Sequence, residues 1–468
     1  MYEIIRNHGL ARCKIENQSG EVWIVTLNEQ REDSSTPLQE RLLSNRLTGN
    51  GGIYAVCSAH PAVIEAAFQQ SLDDGSVLLV ESTSSQVNQF GGYTGMTPCQ
   101  FAEFVHSAAK KAGLPAERVL LGGDHTGPFP WRQEDSVSAL SKARVLVRDC
   151  VLAGYQKIHL DASMACGDEQ GSLTERTVAD RAAILCQAAE EACRELPSDP
   201  PELVYVIGTE VPAPGGESVD AHSPVVTKPE HAHQTLETFH LAFAARGLSS
   251  AWERVIALVV QPGVDFGSNS IFDYDRAKAQ SLSAALSKYP GIVFEAHSTD
   301  YQSPQALARM VEDHFAILKV GPWLTFAYRE AVWALSAIER ELLITSSERQ
   351  ISRVREALEA AMLHDPTHWR SYYHGDEDAV RRDLTYGYSD RCRYYWNQPA
   401  VQQEIARLFY NLGERPIPLT LLSQFLPLEY EAIRTDELQP APERMIQHHI
   451  RRVLRVYADA CSVKQLPK

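Results

Sequence analysis

Three observations in the sequence predict an α/β fold, a (β/α)8 barrel followed by a helical C-terminal extension. From Asn50 onward, short apolar runs rich in Val, Ile and Leu alternate with longer stretches whose apolar residues recur three and four apart. Eight such runs occur before the rhythm stops near Thr345. They are nearly continuous in apolar character, as strands covered on both faces must be. A doubly wound open sheet would also alternate strand and helix, but no GxGxxG follows the first run and no GxxxxGK[ST] occurs anywhere. The barrel is the expectation.

Taken in order, residues 1–45 form an N-terminal extension of different character. Glu21–Leu27 reads as one strand, and Arg31–Pro37 as a polar connector. A small cap, an oligomer contact and a tail are equally compatible with this segment. The barrel is assigned to residues 46–344. Its strands are expected at Gly52–Ala59, Val77–Thr83, Val119–His125, Lys157–Ser163, Val204–Val211, Val255–Gly263, Ile292–Ser298 and Phe315–Pro322. Helical periodicity marks Pro61–Ser71, Pro98–Ala112, Ser136–Ala153, Thr174–Arg194 and Pro304–His314. Thr97-Pro98 and Ser303-Pro304 are start signals, a capping residue followed by a proline at the first helical position. Thr325–Leu343 is expected to be the eighth barrel helix. Residues 345–468 carry further helical patterns at Gln350–Leu363, Gln402–Leu412 and Pro442–Ala458.

Composition narrows the function classes. The chain has 468 residues, 44% hydrophobic and 22% charged, which suits a globular protein with a large core. Its formal net charge of −16 gives no electrostatic reason to bind nucleic acid or an anionic membrane. The aromatic-basic stretch Arg391–Trp396 is therefore read as packing or a subunit contact. Nine cysteines without a CxxC pair read as buried thiols in a reducing compartment. With no signal peptide and no apolar run long enough to span a bilayer, a cytoplasmic location without membrane attachment is expected.

Active sites of such barrels lie at the C-terminal ends of the strands, and polar residues collect there. Glu81 closes the second run, Asp124-His125 the third, and His159 and Asp161 the fourth. Glu210 closes the fifth, Gln261 the sixth and His297 the seventh, while Lys319 and Gly321 belong to the eighth. An acid or imidazole inside an apolar strand costs several kcal/mol, about 2–7, if unpaired. Such residues on five or more strand ends point to a site. His125, Glu210 and His297 suit a divalent Zn, Mn, Co or Ni ion, with the Gln261 amide oxygen as a weaker ligand. The alternative is that these histidines donate hydrogen bonds to neighbouring acids. Asp124 and His125 alternate sides on a regular strand, so both reach one site only where the backbone bends. Glu217 follows a Gly-Gly pivot and is a candidate proton carrier, and Asp161 shares a face with His159. Gln86 and Asn88 lie in a long glycine-rich loop expected to cover a sugar. Ser298, Thr299 and Gly321 mark the natural place for a substrate phosphate, and Asp300 beside them is a candidate substrate contact.

Together the stretches Val56–Pro61, Gln86–Thr97, Gly122–His125, Ile158–Met164, Ile207–Gly216, Val260–Val264 and Glu295–Gln302 closely resemble the tagatose-1,6-bisphosphate aldolase non-catalytic subunit family. The likeness runs from about Arg46 through the C-terminus. It implies a barrel of the class II, metal-dependent aldolase type. It also implies one of two activities, support of a separate class II aldolase catalytic subunit or 4-epimerisation of tagatose and fructose, free or as 6-phosphates. In class II aldolases an Asp-His pair after strand three serves as proton carrier and metal ligand, which Asp124 and His125 match, and Glu210 and His297 match two further site residues. Gln261 stands where those aldolases usually carry a metal-binding histidine, and Ser218 where they have a second loop acid. The resemblance thus implies an epimerase that breaks and remakes the bond between the third and fourth carbons, with Glu217 or Asp124 exchanging the hydroxyl proton and Asp161 and His159 positioning hydroxyls or tuning a neighbour's pKa. The competing expectation is an auxiliary subunit. A homo-oligomer is expected in either case, and a sugar-phosphate kinase lacks a recognisable nucleotide loop.

Overall fold

A computed structural model of the chain describes residues 2–7, 10–16, 22–28, 37–196, 202–209, 224–344, 350–413 and 415–462. The N-terminal extension contains three strands rather than one. β1 (Tyr2–Asn7), β2 (Leu10–Glu16) and β3 (Val22–Asn28) pair antiparallel in sequence order. Helix α1 (Pro37–Thr48) follows, so the expected boundary between residues 45 and 46 falls inside it.

The barrel is as expected. β4 (Ile53–Val56), β5 (Leu78–Thr83), β6 (Val119–Asp124), β7 (Lys157–His159), β8 (Val204–Ile207) and β9 (Val255–Val260) are its first six strands. A two-residue-strand hairpin of β10 (Asp265–Phe266) and β11 (Ile271–Phe272) precedes the last two, β12 (Val293–Ala296) and β13 (Ile317–Val320). All eight barrel strands are parallel to their neighbours, and β13 pairs with β4 to close the ring. Each is shorter than its apolar run: in β6, β7, β9 and β12 the polar residues at the C-terminal end lie beyond the ladder, whereas β5 keeps Glu81, Ser82 and Thr83 in its pairing with β6.

The helices between them are α2 (Pro61–Asp74), α3 (Pro98–Ala112), α4 (Ser136–Leu152), α5 (Glu175–Glu195), α6 (Pro229–Ala245), α7 (Ser249–Trp252), α8 (Arg276–Ala285), α9 (Pro304–Glu312) and α10 (Pro322–Leu343). The start signals act as read. Thr97 and Gln100 form a reciprocal capping box on α3, and the Ser303 side chain accepts from the Ala306 amide at the start of α9. Inside the barrel Ile53, Ala55, Leu79, Val206, Ala257, Val259, Val293 and Ile317 pack together, and Leu38 and Leu42 of α1 join that cluster. Helix α1 thereby plugs the N-terminal end of the barrel. Arg41 donates to Gly52 O, and Asn45 to Gly51 O and Val311 O, which ties the plug to the backbone beneath the strands.

Beyond the barrel come α11 (Val354–His364), α12 (Glu377–Tyr386), α13 (Pro399–Gly413), α14 (Leu419–Phe425), α15 (Pro427–Arg434) and α16 (Pro442–Cys461). The expectation that Thr325–Leu343 is the eighth barrel helix needs correction. It is α16 that packs on α9, α2, α10 and strand β4, and the Gly52 amide donates to Cys461 O. The last helix of the chain fills the gap in the barrel wall, with α10 outside it. Helical periodicity identifies an apolar face but not its partner, and the face of α16 is wide. Met445, Ile446, Ile450, Val453, Leu454 and Tyr457 are all buried.

Candidate active site at the barrel mouth

Two backbone reversals build the mouth. His125, directly after β6, has φ +47, and Ser298, two residues after β12, has φ +53. These left-handed conformations cost a non-glycine residue roughly 1–2 kcal/mol. The first is the bend that lets Asp124 and His125 face one site. Glycines make room. A Cβ on Gly122 would lie 2.8 Å from the Glu81 side chain, and one on Gly127 would lie 1.5 Å from Asp161 O.

Three imidazoles stand in a triangle at this level. The ring centroids of His125, His159 and His297 are separated by 5.0–5.2 Å. His125 Nδ1 meets Asp161 Oδ2 at 2.7 Å, which leaves Nε2 free to face Asp124 Oδ1, 3.8 Å away. His159 Nδ1 lies 3.5 Å from the same Asp124 oxygen, while Thr83 Oγ1 donates to Asp124 Oδ2 at 2.9 Å. Asp161 Oδ1 accepts from the Ser163 amide and hydroxyl. Burial alone would raise the Asp124 carboxyl, but His125 and His159 outweigh it and hold the group far below the usual carboxylate range. Asp161 is likewise held low against burial, by its bond to His125. Burial opposes charge on His125, yet Asp124 and Asp161 lift its pKa to about 9. Burial lowers that of His297.

Beneath the imidazoles lies a buried network of opposite charges. Lys157 Nζ pairs with Glu81 Oε1 at 2.6 Å and Glu295 Oε2 at 2.7 Å. Lys319 Nζ pairs with Glu81 Oε2 and with Asp124 Oδ1, the latter at 2.7 Å. Glu295 Oε1 meets His297 Nε2 at 2.9 Å. Burial brings Lys319 down to about 8, and Lys157 together with His297 holds Glu295 at about 2 against its burial.

This arrangement fits a divalent cation on three counts. Asp124, His159 and His297 offer ligand atoms all within 4.8 Å of one another. The buried His159 Nε2 has no hydrogen-bond partner among the described residues. Glu81, Asp124, Asp161 and Glu295 set four carboxylates against the two ammonium groups of Lys157 and Lys319. The excess is one negative charge with His125 protonated, as its raised pKa has it, and two with all the imidazoles neutral, the form that ligates a metal. Asp161 on His125 is the carboxylate–histidine pairing that orients metal-binding imidazoles.

The predicted site residues distribute unevenly around this centre. Asp124, His125, His297, Ser298, Asp300, Lys319, Gly321 and Gln86 all line one cavity at the mouth. Gln86 accepts from the Thr83 amide and donates to Cys57 O, so it is held in place. Asn88 instead braces its own loop, donating to Ser84 O and accepting from the Phe90 and Gly92 amides. Gln261 spends its amide oxygen on the Gly263 and Val264 amides, at 2.8 and 3.0 Å, which closes the turn after β9. Glu210 and Glu217 lie outside the described residues. Asp300 Oδ1 accepts from the Gly321 and Trp323 amides at the start of α10, and burial raises its pKa to about 6. Residues that sequence reasoning passed over include Cys57, Thr83, Tyr93, Arg393 and Tyr394 in the cavity wall and the Lys157–Glu295 pair below it. Lys157 and Glu295 carried a signal, charge inside apolar runs; Arg393 carried none that distinguished it from packing.

With this geometry in hand, the chain can be set against known proteins. Residues 38–462 match the family model described as D-tagatose-1,6-bisphosphate aldolase subunit GatZ/KbaZ-like. A crystal structure described as a probable tagatose 6 phosphate kinase from Sinorhizobium meliloti 1021 is 43% identical, at a TM-score of 0.80 over 88% of this chain and 100% of that one. The YdjI aldolase from Escherichia coli K12 is 11% identical over 81% of this chain and 97% of its own, with a TM-score of 0.36. The fructose-bisphosphate aldolase from Campylobacter jejuni is 13% identical over 80% and 92%, with a TM-score of 0.38, and similarity at those two levels carries no argument. The family-model match spans the whole barrel and the helical region after it, and on that ground the chain belongs to the D-tagatose-1,6-bisphosphate aldolase subunit GatZ/KbaZ-like family.

Proposed function

We propose that this chain is a metal-dependent 4-epimerase of ketohexoses or their 6-phosphates, interconverting the tagatose and fructose configurations by retro-aldol and aldol steps. The observation that supports it most is the mouth itself, where four buried carboxylates against two ammonium groups surround three imidazoles and the buried His159 Nε2 lacks a partner among the described residues. The fourth-carbon hydrogen of a 2-ketose is not acidic, because the carbonyl is not adjacent, so simple proton removal and return is a poor route. A bound divalent cation would supply Lewis acidity at the ketone oxygen. Asp124, held ionised, takes the fourth-carbon hydroxyl proton as the bond between the third and fourth carbons breaks. The bond's electron pair stays with the ketone fragment, and the other fragment leaves as an aldehyde. Asp124 returns the proton once the aldehyde has turned over and been attacked on its other face. Thr83 and Lys319 fix the orientation of Asp124, and Asp161 fixes that of His125. Glu210 as a further ligand and Glu217 as a second proton carrier belong to the same proposal. So do a cytoplasmic location and a homo-oligomeric state; no described helix is long and apolar enough to cross a membrane.

The test is the purified chain alone with tagatose 6-phosphate or tagatose and Mn, Ni, Co or Zn. Formation of the matching fructose compound is expected, with loss of activity on chelation. Entry of solvent deuterium at the fourth carbon would rule out the retro-aldol route. One observation favours a second reading, an auxiliary subunit for a class II aldolase. Gln261 has turned its amide oxygen back onto its own loop and offers a weak ligand position. No turnover by the chain alone, with activation of a co-expressed class II aldolase, is the outcome that reading requires. A kinase, the description carried by the S. meliloti relative, finds no glycine-rich GxxxxGK[ST] phosphate loop in this sequence.

A further inference from the structure

We propose that Arg393, supplied by the C-terminal helical region, binds an anionic group on the sixth carbon of the sugar, a phosphate ester or a carboxylate, and so selects anionic ketohexoses over free ones. The proposal rests on the epimerase reading for the sugar class and on the following geometry for the anion. Arg393 lies in a short helical turn, residues 391–394, that reaches back over the barrel mouth. It lines the cavity that contains Asp124 and His297, and also a second cavity that shares Cys57 and Tyr93 with the first. Lys319 and Arg393 are the lysine and arginine residues in those two walls. Lys319 is matched by Glu81 and Asp124.

Arg393 is not so matched. Its Nη1 donates to Ser389 O at 2.5 Å and Asp390 O at 3.1 Å, and its Nη2 to Tyr394 Oη at 3.0 Å. These acceptors are uncharged, and no carboxylate among the described residues lies within ion-pair distance of it. Burial opposes its charge while Tyr394 and Asp390 favour it, so it stays a cation, and with no carboxylate of the described residues in contact its planar fork suits a phosphate or carboxylate in particular. Its guanidinium lies 4.5 Å from the Tyr394 ring centroid, a further contact without a negative charge. The other feature at the mouth that would attract an anion, the N-terminus of α10, is already filled by Asp300 Oδ1. Two buried nitrogens in the residues of the second cavity's wall, His60 Nδ1 and Trp396 Nε1, also lack partners among the described residues, which suits a polar occupant.

The test is calorimetric titration of the full chain with fructose 6-phosphate, fructuronate and fructose, for the wild type, Arg393→Gln and Arg393→Lys. The wild type is expected to bind at least one anionic sugar about 10–100-fold more tightly than fructose, the worth of a charge-assisted contact. Whichever of the two binds tighter identifies the group. Arg393→Gln should erase the preference while leaving fructose affinity within about threefold, and Arg393→Lys should retain part of it. A wild type that binds fructose as tightly as both anionic sugars overturns the proposal, even if the variants fail to fold. Equal weakening of all three ligands in a folded Arg393→Gln overturns it too. Selective binding without epimerisation would sink the epimerase reading and leave the Arg393 assignment standing. Epimerisation with no preference for anionic sugars would do the reverse.

Discussion

At the scale of single residues, the barrel mouth turns on how carboxylates are held. Asp161 touches His125 rather than the centre of the triangle, so its effect is transmitted through the imidazole. Asp161→Asn should lower metal affinity by about 10–100-fold, read by titration with Zn or Mn, with little change in melting temperature. His159→Ala and His297→Ala should each lower bound metal and reduce epimerase turnover by at least about 100-fold. Unchanged metal content in both variants would remove this triangle as the metal site. Asp300 gives a pH signature. Its folded value of about 6 lies above that of an unfolded aspartate, about 3.9, so folding favours its protonated form. That contribution is complete below about pH 4 and is lost as pH rises through about 6. Asp300→Asn keeps an oxygen for the Gly321 and Trp323 amides. The wild-type melting temperature should therefore fall relative to this variant between about pH 4 and pH 7. Parallel curves for the two proteins would show that Asp300 does not titrate in this range.

What could be read from sequence at this scale was residue type, not pairing. Asp124-His125 announced itself because polar residues ended an apolar run. The ion pairs beneath it join Glu81 to Lys157 and Lys319, separated by 76 and 238 positions, and no local pattern records such a partnership. Arg393 is harder still. Its neighbours Cys392, Tyr394, Tyr395 and Trp396 are buried aromatics and a thiol that read as packing, and they hid the one cationic side chain among them that lines the cavity beside Tyr394.

At the scale of elements, strand ends and their turns position the chemistry. The turn after β6 runs against the backbone after β7, with the Thr126 amide donating to His159 O and Gly127 pressed onto Asp161 O. Gly127→Ala would force these two segments apart. It should cost at least about 1–3 kcal/mol, and it should weaken metal binding because Asp161 moves. A variant as stable as wild type would show that the turn tolerates a shift. Strand and helix identities were legible here because the apolar periodicities of 2 and 3.6 are local properties. Strand lengths were overestimated at β6, β7, β9 and β12, where the polar residues that mark a strand's end also leave its hydrogen-bond ladder.

For the whole molecule, the barrel and the region after it are one packing unit. Helix α16 closes the wall between α9 and α2, and Arg329 of α10 pairs with Asp390 at 2.7 Å, both buried. Arg329→Ala should destabilise the protein by about 3–5 kcal/mol, since it strands a buried carboxylate. Truncation before Pro442 removes six large buried apolar side chains from the wall. At about 1.5–3 kcal/mol each they approach or exceed a typical total stability of about 5–15 kcal/mol. The truncated chain should not fold to a cooperative barrel, as judged by loss of a sharp calorimetric transition; a stable truncated barrel would show that α10 can take the vacant place.

The sequence by itself determined the fold class, the number and order of barrel strands, the family, and which strand ends carry acids and imidazoles. Each of these follows from periodicity, burial preference or local motif, which are written in consecutive residues. Only the tertiary structure decided which helix completes the wall, how two lysines pair with Glu81, Glu295 and Asp124, and that an arginine from the region after the barrel lines the mouth. Those are matters of contact between segments hundreds of residues apart. Closure of the barrel, not the chemistry of any one stretch, brings them within a hydrogen bond of each other.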